Sequence, residues 1–132
     1  MSLPGFDVLR ADHRGDVTVI DDLERILRQT LLRDPNSVID ERIVQQQLAT
    51  SAEIANKLLV ELVSANTLEP VFFWICPTDG GTVREESSLT QFPDVVECDR
   101  CGHEHYFNTS DVEVHFLAST VLDQHLARDR SR

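Results

Sequence analysis

A chain of 132 residues can form one ordinary domain or two small units, and 41% apolar with 27% charged residues is a globular balance that excludes wholesale disorder. The net charge of −11 opposes any function built on broad contact with a polyanion, because nucleic-acid affinity comes largely from phosphate neutralisation by Lys and Arg. No run approaches the eighteen or so apolar residues that span a bilayer, and the start lacks a basic-then-apolar leader, so a cytoplasmic protein with no membrane partner is expected.

Residues 1–18 hold Pro4, Gly5, Gly15 and scattered charges without a sustained apolar period, which reads as a flexible arm or one short docking strand. Ile20, Leu23, Ile26, Leu27 and Leu31 then recur at three and four residues, and the spacing predicts a helix with one buried stripe. Asp34-Pro35-Asn36-Ser37 interrupts it, and Ile39, Ile43, Val44 and Leu48 predict a second, shorter helix. Thr50 and Glu53 have capping-box spacing and predict the start of a third, whose stripe is Ile54, Leu58, Leu59, Leu62 and Val63 and whose end is marked by Asn66.

Val71 to Cys76 is dense in β-branched and aromatic residues and predicts a strand covered on both faces. The glycines, serines and charges from Gly80 to Pro93 predict an exposed loop or loose hairpin arm. Val95-Val96 predicts a short strand before Cys98, and Val112, Val114 and Phe116 alternate with Glu113, His115 and Leu117 as a half-buried one. Residues 119–132 are read as a turn or two of helix through Val121, Leu122 and Leu126, with a fraying Arg-rich tip.

Three helices joined by short turns and leading into an apolar strand resemble the winged-helix family over residues 20–76. The resemblance is carried by Gln47-Leu48-Ala49-Thr50-Ser51 at the turn and Ala55-Asn56-Lys57-Leu58-Leu59 in the would-be recognition helix. It implies an exposed face of Ala52, Glu53, Asn56, Lys57, Val60 and Glu61, on which Asn56 and Lys57 are the nucleic-acid-binding candidates. Two glutamates beside them disfavour duplex reading and favour a protein partner.

Three cysteines, two in C-x-x-C spacing, point to metal before disulfide in a reducing compartment. Cys98-Asp99-Arg100-Cys101-Gly102 has the form of a zinc knuckle. Cys76-Pro77-Thr78-Asp79-Gly80 has the same shape with Asp79 at the second ligand position. Together they resemble a zinc ribbon over about residues 71–118, implying structural zinc on Cys76, Asp79, Cys98 and Cys101. His105, or less favourably His103, stands as a substitute for Asp79. His13, His115 and His125 are read as solvated.

The expectation is an α+β chain, an N-terminal trihelical winged-helix-like bundle with a small antiparallel zinc-ribbon-like sheet. It divides into an arm (1–18), a winged-helix-like domain (19–75), a zinc-ribbon-like domain (76–118) and a tail or short helix (119–132). The arrangement is similar to the alpha-type subunits of general transcription factor E, a resemblance that implies recruitment or scaffolding within a nucleic-acid machine. The function expected is a non-enzymatic adaptor for a larger effector or enzyme in a multi-component system such as a bacterial defence or signalling operon. The alternatives are a winged-helix DNA-binding regulator and a thiol or metal enzyme using Cys98 or Cys101.

Overall fold

The structure is a computed structural model that describes residues 2–130. Met1, at the tip of the expected arm, and Ser131 and Arg132, at the end of the expected tail, lie outside the described residues. Among the described residues are five α-helices and two small antiparallel sheets, a mixed α+β fold. The chain forms two compact units, one running up to Glu69 and resuming at Phe116, the other Pro70–His115. The crossings fall inside two strands, not at the borders after residues 75 and 118 read from the sequence.

The first unit holds α1 (Phe6–Asp12), α2 (Val17–Arg33), α3 (Glu41–Leu48), α4 (Ala52–Ser64) and α5 (Thr120–Arg130). Ile20, Leu23, Leu27 and Leu31 are fully buried along α2, the stripe that its three-and-four spacing requires. They share a core with Leu58, Leu59 and Leu62 of α4 and Leu122 and Leu126 of α5. Each such side chain contributes on the order of 1.5–3 kcal/mol on leaving water. The caps differ by one residue from the expected box: Ser51, not Thr50, receives the Ile54 amide at the start of α4 (3.2 Å). Asn66, at φ 60°, follows the helix in the left-handed conformation expected there.

The expected arm is instead part of this core. Leu3, Phe6 and Leu9 are buried among the helices, and the Thr67 hydroxyl donates to the Pro4 carbonyl at 2.7 Å. Three buried apolar residues over seven positions are too short a pattern to announce a helix, and the segment is held by tertiary contacts. Arg10 bonds to Glu24 (2.5 Å) and Asp21 (2.9 Å), and Glu24 also receives the Leu3 amide (2.6 Å). The bond donated to Glu24 holds the Arg10 guanidinium above its ordinary pKa against the opposing effect of burial, with help from Asp21.

Five strands follow α4: β1 (Leu68–Ile75), β2 (Thr82–Glu86), β3 (Val95–Glu97), β4 (Glu104–Tyr106) and β5 (Val112–Ala118). One sheet has the order β2-β1-β5, with β1 and β2 antiparallel in the register Phe73↔Glu85; the other is the antiparallel β3-β4 hairpin. Of the two readings of Gly80 to Pro93, exposed loop or hairpin arm, the second is seen: β2 pairs antiparallel with β1. Its residues are polar because β2 lies at the edge of its sheet, where side chains meet water and structure comes from pairing. On β5 the expected alternation holds only in part, since Phe116 is buried while Val114 is exposed. The second unit's core is aromatic: Trp74 meets Phe92 and Phe107 edge-on at 5.9 and 5.5 Å, and those two stack at 5.4 Å.

Candidate metal centre

Two turns of the second unit share one backbone wiring. In the first, the Cys76 amide donates to Gly81 O and the Gly80 amide to Cys76 O, both at 2.8 Å. In the second, the Cys98 amide donates to His103 O (2.9 Å) and the Gly102 amide to Cys98 O (2.8 Å). The glycine at the fifth position of each turn has the same left-handed backbone, φ 77° at Gly80 and 76° at Gly102, which explains why the sequence places glycine at both. Asp79 thus stands in its turn where Cys101 stands in the other.

The second turn is the tip of the β3-β4 hairpin. Val96 pairs with His105 across it, so the two lie on one face, and the two-residue period carries Cys98 to that face. Cys76, Cys98, Cys101 and His105 come together, with their donor atoms all within 4.8 Å of one another. His105 Nε2 lies 3.5 Å from Cys76 Sγ and 3.2 Å from Cys101 Sγ. Metal–sulfur and metal–nitrogen bonds of about 2.3 and 2.0–2.1 Å at a tetrahedral angle set an S···N edge of about 3.6 Å, so the spacing fits one small ion. This Cys3His group can hold a metal.

The electrostatics of the turns favour thiolate at one position. Amides of Cys101 and, after burial acting the other way, Arg100 lower the Cys98 thiol below its ordinary value. Cys101 is drawn down by the amide of His103, yet burial and the neighbouring sulfurs of Cys98 and Cys76 leave it raised. Three sulfurs crowded this closely repel one another as anions, a repulsion that a cation between them removes.

The four sequence candidates are not all in this group. The three cysteines are; Asp79 is not, and its carboxylate receives the Gly81 amide at 2.8 Å and faces Arg100 Nη1 at 3.5 Å. The Gly81 bond, with Arg100, holds Asp79 below the usual carboxylate range despite the burial that opposes it. His105, the first of the two substitutes, supplies the fourth donor atom, while His103 turns its Nδ1 to the Cys101 carbonyl at 2.8 Å. The strand β4 that positions His105 was missed in the sequence, although the alternation away from Cys101 carries the signal.

Asn56 and Lys57 lie exposed on α4, and Glu61 of the same helix pairs with His13 at 2.5 Å. His13 and His115 differ from the solvated reading: both side chains are mostly buried, and His115 packs edge-on against Phe73 at 5.1 Å. No helix among the described residues is long and apolar enough to cross a membrane. No protein-family model matches the chain, and no curated protein or solved structure matches it either.

Proposed function

We propose that this protein is a non-enzymatic adaptor that docks a segment of a larger effector or enzyme, its first unit winged-helix-like and its second a zinc-ribbon-like unit built on structural zinc. The observation that carries the docking role is a cleft between α2 and α3. Two adjoining hollows of about 450 and 280 Å³ share Ile26, Thr30, Ser37 and Gln47. Val38 and Ile43 line the smaller one and remain 46% and 53% exposed. Arg25 and Arg33 line the larger. Asp40, the one carboxylate lining either hollow among the described residues, caps α3 by accepting the Arg42 amide at 2.8 Å.

A cleft with apolar side chains at one end and arginines among polar residues at the other, on a chain of net charge −11, is matched by an amphipathic helix with acidic margins. A basic segment would be drawn to the rest of the surface and not to this cleft. Zinc suits Cys76, Cys98, Cys101 and His105 because thiolate and imidazole are its preferred donors, and four protein ligands complete a tetrahedron with no position left for substrate. The zinc would cross-link two turns of a unit too small to rely on its aromatic core.

Affinity capture from cells that make the protein tests the docking role. Ile43→Asp and Arg33→Glu should each lose the partner that the parent retains, with the melting temperature unchanged. Retention of the partner by both variants would reject the cleft as the docking site, and recovery of duplex DNA whose binding falls with Lys57→Ala and steeply with salt would reject the adaptor in favour of the regulator.

A further inference from the structure

We infer that Asp79 and Arg100 form a latch that ties the two cysteine turns together, making Asp79 a positioning residue where a ligand would be expected. The inference rests on the metal reading above. The equivalence of the turns puts Asp79 in the place of a second cysteine, yet His105 fills the fourth donor position from a strand. The carboxylate closes its own turn through the Gly81 amide, reaches the opposite turn through Arg100, and interacts with the Cys76 thiol beside it.

Arg100 completes the connection from its side. Its Nε donates to Thr82 O at 3.4 Å, and its guanidinium lies so close over Gly81 that a methyl group there would overlap it. Gly81 does not have a left-handed backbone, and a side chain there would push the guanidinium aside. Arg84 and Arg100 are the bases between residues 71 and 118, and Arg84 is engaged by Glu86 at 2.8 Å. A divalent ion with three thiolates and a neutral imidazole carries one net negative charge, which the Arg100 guanidinium is placed to offset.

The latch predicts an effect on how long metal is held, with no change in what holds it. The full chain loaded with Co²⁺ is followed by its electronic spectrum while EDTA removes the ion, for the parent and for Asp79→Asn, Arg100→Gln, Gly81→Ala and the Asp79→Asn/Arg100→Gln double variant. Each single variant should release Co²⁺ about 10-fold faster, within the range known for outer partners of metal ligands. The spectrum before EDTA should match the parent, and the double variant should release no faster than the worse single one, since both remove one connection. Gly81→Ala keeps both charged groups and displaces only their meeting point, and far-UV circular dichroism checks that each variant is folded.

Release within twofold of the parent, or additive effects in the double variant, overturns the latch. A Co²⁺ spectrum changed by Asp79→Asn and untouched by His105→Ala overturns it too, because Asp79 is then a ligand. A parent that gives no Co²⁺ spectrum removes the metal centre itself, a failure visible before any variant is made.

Discussion

Replacing Phe6 by Ala should destabilise the first unit by about 3–4 kcal/mol. Phe6 is completely buried on α1, a helix of seven residues that has little stability of its own. Removing a buried phenyl ring costs about 3–5 kcal/mol in lost transfer energy and residual cavity, and the better helix propensity of Ala returns roughly half a kcal/mol. Against a typical total of about 5–15 kcal/mol this is a large fraction, equivalent to a fall in melting temperature of roughly 15–25 °C for a unit of this size. Val8, on the same helix and 61% exposed, is the control: Val8→Ala should stay within about 0.5 kcal/mol. The assay is urea unfolding followed by far-UV circular dichroism, to which the helices of the first unit contribute most. A loss below 1 kcal/mol for Phe6→Ala, indistinguishable from Val8→Ala, would refute the placement of residues 3–9 in the core.

Other outcomes follow from the same structure. Trp74 is the single tryptophan and is fully buried in the second unit, so EDTA should shift its fluorescence to the red while the helical dichroism stays largely unchanged; an unshifted emission would count against a structural metal. Ala49 ends α3 at φ 52°, a left-handed conformation that costs a residue with a Cβ about 1–2 kcal/mol. Ala49→Gly should therefore raise stability by about 0.5–1 kcal/mol in the same urea experiment, after the extra freedom of glycine in the unfolded chain is subtracted. Glu24→Gln removes a charge shared by Arg10 and the Leu3 amide, and should cost about 1–2 kcal/mol by the same measurement.

What could be read from the residues was set by how much of each element's structure is local. The stripe of α2 and the left-handed Asn66 are written in spacing and residue type, and the aromatic run of β1 in its composition. The turn at Cys98 was equally plain, because two cysteines and a glycine within five residues admit few conformations. α1 was hidden because Pro4-Gly5 and the charges around Phe6 and Leu9 look like a linker, and only the pocket they enter shows them to be core. β2 was legible only as one of two readings, a hairpin arm or a loop, because Thr82-Val83-Arg84-Glu85-Glu86 is polar, and an edge strand draws its structure from a neighbour ten residues back. The fourth donor was a question of register. Asp79 matches the motif, but the pairing of β3 with β4 brings His105 to the sulfurs, and pairing is a property of two segments at once.

The nesting of one unit within the other gives this molecule an order of events. Leu122 and Leu126 belong to the same core as Leu27 and Leu31, and Arg28 pairs with Asp129 at 2.6 Å across a hundred residues of chain. On the ribosome, the helical unit must wait with an unfilled hollow until the last strand and helix emerge, whereas Pro70–His115 is complete in the chain before then. The cysteine turns can thus close on an ion while the helical unit is still unfinished, and a chain of which only residues up to 115 have left the ribosome would display a folded second unit together with an open first one.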